Sequence, residues 1–400
     1  MAAGPGAQTA LAGPGVAPVS AVAAPSPDRL LFIDNIRWSM IVLVLSMHAC
    51  VTYSPFGGWY YRDRAPIGLG EVLAFATYQS FLQGFFMSLL FFIAGYFAAV
   101  SCQRKGPVRF LRDRAFRLGL PTLLYMLTIG PITEYLAGNW SRHGFAATYM
   151  WMIETGHILG QTGPMWFCAA LLVFSAAYAG LYAAGWRGPR WALPDDWRGD
   201  TAVVAMIALV AAGTFLVRLA MPEGHAIYNM QLPYFPQYVP MFAAGLVACR
   251  GDWFARLPER LCRRWGLIAL FGGAVLFAAL IVYGGALDRN TARYAGGFNW
   301  VSAVKCVWEA LVCVGVSLGV LMLYRHYFAA QGAVTRWVSD GAFGVYMFHP
   351  PILVALTMAI HDVPLPPLMK AALLTALAAL VTFTISGAVL HRAPLLRAIV

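Results

Sequence analysis

The segment from residue 34 to residue 48 carries charge into an otherwise apolar helix, and it reads Asp-Asn-Ile-Arg-Trp-Ser-Met-Ile-Val-Leu-Val-Leu-Ser-Met-His. Arg37 opens the apolar run and His48 lies inside it. At the helical rise their separation is about 16 Å, roughly half of the ~30 Å hydrocarbon thickness of a bilayer, and three turns return both side chains to one face. We therefore expect an arginine at the membrane interface and a histidine near the middle of a first span.

The composition of the chain is that of a polytopic membrane protein. Its 400 residues are 60% hydrophobic and 11% charged, with a mean hydropathy of +0.66, which is too apolar for a soluble domain of this length. The net charge of +11 is divided among short basic clusters between apolar runs, a pattern typical of cytoplasmic loops rather than of nucleic-acid binding. The seven cysteines show neither a disulfide framework nor metal-ligand spacing. We expect no metal site and no nucleic-acid partner.

The chain divides into a short tail and one membrane domain. Residues 1–28 are mostly Ala, Gly, Pro, Val and Ser and lack the features of a signal peptide, so we predict a disordered cytoplasmic tail. Residues 29–400 are predicted to form an all-α integral membrane bundle of about ten transmembrane helices. The predicted spans are residues 36–53, 75–100, 117–137, 165–184, 201–221, 234–249, 266–286, 300–324, 341–360 and 368–391.

The distribution of Lys and Arg between the loops predicts the orientation of this bundle. Twenty of these residues fall on one side of the ten spans and seven on the other, while Lys305 lies inside a span. Because cytoplasmic loops carry the excess of basic residues, both termini are expected to be cytoplasmic.

Four ionisable residues are predicted to lie within the membrane: His48, His349, Lys305 and Glu309. The two histidines are both placed near the midplane, and Lys305 and Glu309 lie four residues apart on one face of span eight. Such groups are costly in a bilayer and usually face the bundle interior or a wet cavity.

The segment between spans two and three is rich in arginine and places Arg114 and Arg117 one turn apart at the mouth of span three. Paired guanidinium groups can clamp phosphates. Clustered arginines in a cytoplasmic loop also serve as topology signals or as contacts to lipid head groups, and this alternative remains open on the residues alone.

Five ordered segments along the chain resemble one known family, the integral-membrane acyltransferase family three, which includes glucan-succinylating and O-antigen-acetylating members. The matching segments are Asp34 and Arg37 with His48 after ten intervening residues, Phe91-Phe92-Ile93-Ala94-Gly95-Tyr96, Arg114-x-x-Arg117 with Leu118 and Pro121, Gly163-Pro164-Met165-Trp166-Phe167, and Phe343-Gly344-Val345-Tyr346-Met347-Phe348-His349. Ala94 stands where many members carry a serine. We expect no soluble extracytoplasmic domain after span ten, as in the stand-alone, glucan-type members.

The resemblance implies a bacterial inner-membrane enzyme that moves an acyl group, of the acetyl or succinyl class, from cytoplasmic acyl-CoA to a hydroxyl of a carbohydrate or other extracytoplasmic acceptor. It assigns a paired role to Arg37 and His48, with Asp34 in support, and donor binding to Arg114 and Arg117. Acyl-CoA is then a co-substrate, and no tightly bound cofactor is expected. Membrane lipid and the hydroxyl acceptor are the other expected partners.

The chemistry of acyl transfer gives the intramembrane histidines roles that compete with packing roles. Transfer needs a base for the hydroxyl proton, donors for the developing oxyanion, and exclusion of water. His48 fits the base, with a packing histidine as the alternative. His349 precedes Pro350 and Pro351 in a helix that cannot be regular there. It could orient the acceptor, stabilise the oxyanion, or be structural.

Two further residues carry alternatives. Glu309 could orient an imidazole or bind acceptor hydroxyls, or it could form an ion pair with Lys305. Trp166 could anchor the chain at the membrane interface or stack on a sugar. At the level of the whole protein, a proton-coupled exporter or a scaffolding subunit of a synthase are the rival hypotheses.

Overall fold

The computed structural model of the chain describes residue 1 and residues 30–63, 66–138, 144–288 and 290–392. The predicted tail of residues 1–28 lies outside these residues apart from residue 1. Ten helices, numbered α1 to α10, correspond one to one with the predicted spans: Leu31–Tyr53, Leu69–Lys105, Pro107–Leu136, Trp166–Ala183, Trp197–Ala220, Phe235–Arg250, Glu259–Tyr283, Trp300–Tyr327, Ala333–Ala359 and Pro367–Arg392.

Within the described residues, nine helices are long and apolar enough to cross a membrane. The exception is α6, which has 16 residues and spans only about 24 Å. Pro236 lies in its first turn and Pro240 inside it, and proline removes a backbone donor from a helix. Short helices connect the others at Gly144–Glu154, His157–Gly160 and Ala292–Ala295, and the hairpin strands are Ala226–Ile227 and Met230–Gln231.

Glycine allows a close contact between helices α2 and α6. A Cβ atom at Gly95 would collide with the carbonyl of Phe242, and one at Gly245 would collide with the carbonyl of Phe92. The two backbones therefore touch where a side chain would hold them apart. Helix α1 packs among α2, α8, α9 and α10, so the segment that carries Arg37 and His48 lies inside the bundle.

The basic segment before the third span is helical, which corrects the prediction of a loop. Gly106, with a φ of 78°, ends helix α2, and the next helix begins directly at Pro107. Proline is favoured at the first helical position because its missing N–H needs no partner there. Helix α3 also contains wide π turns at Ala115–Gly119 and Tyr125–Ile129, each followed within two residues by a proline that interrupts the ladder of backbone bonds. Arg114 and Arg117 consequently project from a rigid helix.

Candidate functional site

His48 on α1 and His349 on α9 lie side by side in the bundle. Their ring centroids are 5.3 Å apart and their planes differ by 17°. His349 is fully buried, whereas His48 is half-buried. The structure thus brings together two residues that are 301 positions apart in the chain, as the prediction of a shared depth requires.

Trp59 covers one face of this pair and comes from the segment after α1. Its ring stacks on His48 at 3.8 Å, and its plane lies within 9° of the His349 plane. Asp63 anchors the segment: its N–H donates to the carbonyl of Thr52, and its carboxylate lies 3.6 Å from the ammonium of Lys370. Trp59 therefore holds the plane of the His48 ring.

Three nitrogen atoms of these rings are buried without a hydrogen-bond partner among the described residues. They are Nδ1 of His48, Nε1 of Trp59 and Nε2 of His349. Buried polar atoms in native proteins are nearly always paired, so each exception calls for a physical reason. Three such atoms within one group of contacting rings mark these rings as the candidate functional site.

The proline that follows His349 explains how that ring is oriented. Pro350 has no N–H to donate to the carbonyl of Tyr346, four residues earlier in the helix. Nδ1 of His349 lies 2.8 Å from this carbonyl oxygen. Because a carbonyl only accepts, Nδ1 must carry the hydrogen, and a neutral ring then has a bare acceptor at Nε2.

The Gly-Pro motif before α4 forms the adjoining wall. The hydroxyl of Tyr346 donates to the carbonyl of Pro164. Gly163 has a φ of 50°, and a Cβ there would collide with the hydroxyls of Tyr60 and Tyr125, which lie 2.8 Å apart. Burial raises the pKa of Tyr60, so its hydroxyl stays protonated. Glycine is thus required at residue 163 both for its backbone angle and for space.

A second cluster, of three arginines, lies where α1 begins and α3 passes from its first helical segment into a π turn. Arg37 pairs with Asp34 at 3.3 Å and lies over the ring of Phe97 on α2 at 4.6 Å. Arg37 and Arg117 both lie close enough to Arg114 for their positive charges to act on it. Like charges gathered in this way favour an anionic ligand.

Glu309 belongs to a different cluster. Its carboxylate lies 2.7 Å from Nη2 of Arg218 and 3.5 Å from Nζ of Lys305, and it accepts from the amide of Gln237. The predicted pair with Lys305 is therefore present. None of the contacts described for Glu309 joins it to either imidazole, so the geometry does not favour the predicted role of orienting one.

Glu223, between α5 and α6, completes this buried charge network with Arg218, Lys305 and Glu309. It lies 3.0 Å from Arg218 and 2.6 Å from Lys305. Burial opposes ionisation of Glu223, but these two cations outweigh it and hold its pKa below the ordinary value. With two cations and two carboxylates, the network is balanced in charge.

Trp166 packs inside the bundle and not as an isolated anchor. Its ring lies 5.8 Å from that of Tyr238 on α6 and 6.4 Å from that of Phe91 on α2, and both of these residues are fully buried. It supports the start of α4, directly after the Gly-Pro motif.

Sequence reasoning missed Trp59 and Arg218. Trp59 lies in a connecting segment, and nothing in the local pattern marks it. Arg218 is one of the seven basic residues that the count of Lys and Arg places on the outer side, although it lies within the predicted span 201–221 and is fully buried. The general cost of an arginine inside a span was the signal that should have separated it from the loop residues.

Comparison with known proteins shows which proteins this chain is similar to. The family model described as an acyltransferase domain matches residues 30–391. The chain is 22% identical over 348 residues to glucans biosynthesis protein C of Salmonella schwarzengrund (strain CVM19633), covering 82% of this chain and 83% of that protein. The corresponding protein of Salmonella typhi gives the same identity and coverage. No solved structure matches the chain. The chain therefore belongs to the integral-membrane acyltransferase family three and is a membrane acyltransferase.

Proposed function

We propose that this acyltransferase takes an acetyl- or succinyl-class group from acyl-CoA in the cytoplasm and transfers it to a hydroxyl of a carbohydrate outside the cytoplasm. The observation that carries this proposal is the group of three unpartnered ring nitrogens on His48, Trp59 and His349. The relatives' name, glucans biosynthesis protein C, supports a glucan as the acceptor class. The excess of basic residues on one side of the spans supports an inner-membrane protein with both termini in the cytoplasm.

The donor is proposed to bind through its phosphates at Arg37, Arg114 and Arg117. Guanidinium groups form short, charge-assisted bonds to phosphate. Arg37 and His48 lie on one continuous helix, about 16 Å apart along its axis. The pantetheine arm then runs beside α1 and brings the thioester carbonyl to the rings.

The positions of the ring nitrogens support the following course of transfer. His48 accepts the proton of the acceptor hydroxyl as its oxygen attacks the thioester carbonyl, and the π electrons of that bond move onto the carbonyl oxygen. Nε1–H of Trp59 donates to this oxyanion. Collapse of the tetrahedral intermediate breaks the carbon–sulfur bond, and the departing thiolate takes the proton from His48. The products are an ester and free CoA thiol.

The test follows thiol release in purified protein in lipid nanodiscs, with acetyl-CoA or succinyl-CoA and candidate glucans. Release should depend on acceptor and be lost in His48→Ala, with folding and insertion retained. His326→Ala is the matched control, because His326 is exposed at the end of α8. Proton-coupled uptake in proteoliposomes with no acceptor-dependent thiol release from any donor and acceptor pair would instead establish a transporter.

A further inference from the structure

The ring planes and separations of His48, Trp59 and His349 place His349 beside the stack of the other two. The line from His48 to His349, 5.3 Å long, makes nearly a right angle with the line from His48 to Trp59, 3.8 Å long, since the third side of the triangle is 5.9 Å. His349 therefore does not extend the stack. Rings that are nearly parallel and side by side present their edges to each other.

The separation fits a hydrogen bond between the two imidazoles. Two rings joined edge to edge by a bond of about 2.9 Å have centroids about 5 Å apart, once roughly 1.1 Å from each centroid to its nitrogen is added. Nδ1 of His48 and Nε2 of His349 are both buried and unpartnered in the described part of the chain. Because Nδ1–H of His349 donates to the Tyr346 carbonyl, Nε2 of His349 is an acceptor. The group that complements it is an N–H on Nδ1 of His48.

We propose that His349 is a positioning residue that accepts a hydrogen bond from Nδ1–H of His48 and so leaves Nε2 of His48 as the base that faces the acceptor hydroxyl. The chain of groups runs from the carbonyl of Tyr346 through both rings to the substrate. The two nitrogens are not bonded to each other in the structure. A change in the orientation of one ring closes the bond, and catalytic hydrogen bonds often tighten only when substrate is present. The proposal rests on the proposed transfer reaction for its effect on rate, but the tautomer itself does not depend on that reaction.

Asparagine and glutamine at residue 349 provide a matched pair of variants. In His349→Asn the amide lies where Nδ1 was, so it keeps the bond to the Tyr346 carbonyl and loses the acceptor for His48. In His349→Gln the amide lies where Nε2 was, so its oxygen can accept from His48. Losing the group that sets a catalytic tautomer costs on the order of 10²–10⁴ in kcat. We expect His349→Asn to lose at least 100-fold in kcat with an unchanged KM for acyl-CoA, and Gln to recover at least a tenth of the wild-type rate.

The decisive readout is the tautomer of His48, measured by nitrogen NMR in lipid on protein labelled at histidine and assigned by the loss of its signal in His48→Gln. We expect Nδ1–H in the wild type and in His349→Gln, and a shift towards Nε2–H in His349→Asn. Nε2–H at His48 in the wild type would overturn the proposal without any variant. If the tautomer pattern is as expected but the wild type transfers no acyl group, the proposed function fails and the positioning role remains. If transfer occurs and the tautomer is the same in all three proteins, the positioning role alone fails.

Discussion

Removing one charge from the buried network around Arg218 should decide whether Glu309 stabilises the fold or takes part in transfer. Glu309→Gln removes the carboxylate that lies 2.7 Å from Arg218 and 3.5 Å from Lys305. Two cations then share the single carboxylate of Glu223 inside the bundle. Breaking a buried pair by removing one partner costs about 3–5 kcal/mol, because the other charge is left without compensation. We expect a loss of this size in the free energy of unfolding.

The loss can be measured as a change in Tm. At about 2 °C per kcal/mol for a long chain, Tm should fall by roughly 6–10 °C. Six of the seven cysteines are buried, so labelling by a thiol-reactive dye during heating reports unfolding in detergent or lipid. The control is the double variant Arg218→Met with Glu309→Gln, which removes both partners and leaves the 2.6 Å contact between Lys305 and Glu223. It should recover most of the loss, since replacing a whole buried pair is often neutral.

Turnover of the folded fraction completes the test. If Glu309 acts only through the fold, Glu309→Gln should retain turnover per folded molecule within a few-fold of the wild type. A fall of 100-fold or more in turnover, with Tm unchanged, would refute the structural assignment and return Glu309 to the reaction. A double variant no more stable than the single one would show that the pair is not the source of the loss.

Three further predictions concern the donor cluster and the ring site. Arg114→Ala should raise the KM for acyl-CoA about 10- to 100-fold, because a bond to a charged group contributes about 1.5–3 kcal/mol. The control Arg112→Ala, at an exposed residue of the same helix, should leave this KM unchanged. Equal effects of the two variants would show that the donor binds elsewhere. Gly163→Ala should lower both Tm and turnover, whereas Gly160→Ala, with open space around it, should leave both within error, and an unaffected Gly163→Ala would contradict the tight wall. Trp59→Phe keeps a stacking ring and removes the N–H, so kcat should fall about 10²- to 10³-fold with KM unchanged, and an unaltered kcat would exclude this N–H as the oxyanion donor.

The helices were predictable because apolar length and basic clusters report on a bilayer directly. Every predicted span has a helix within a few residues of its bounds at most ends, and the pair of Lys305 and Glu309 follows from helical spacing alone. The helical course of the basic segment was missed because its charge was read as a sign of a loop. Gly106 and Pro107, a break followed by a favoured helix start, contain the information that was needed.

The site was predictable only where a residue type is costly in its place. His48 and His349 could be singled out from depth in the membrane, and Pro350 showed that a carbonyl of α9 would be unpaired. The hydrogen bond from His349 to this carbonyl depends on the rotamer of the His349 side chain, which cannot be predicted from the sequence. Trp59 comes to the site through the anchor of Asp63 on Lys370, a contact across 307 positions of chain that no local pattern announces.

The contrast between the two polar clusters in the bundle follows from the cost of burial. An uncompensated charge in a low-dielectric interior costs far more than an unpaired neutral nitrogen. Arg218, Lys305 and Glu309 accordingly meet opposite charges at 2.6–3.5 Å. An imidazole can be neutral, so the unpartnered nitrogens of His48 and His349 cost far less than an unpaired charge would in the same place. An intramembrane ionisable residue whose charge is already paired is therefore a structural group, and one without such a pair is a candidate for bonding a substrate. This difference is more informative than the depth of the residue in the membrane.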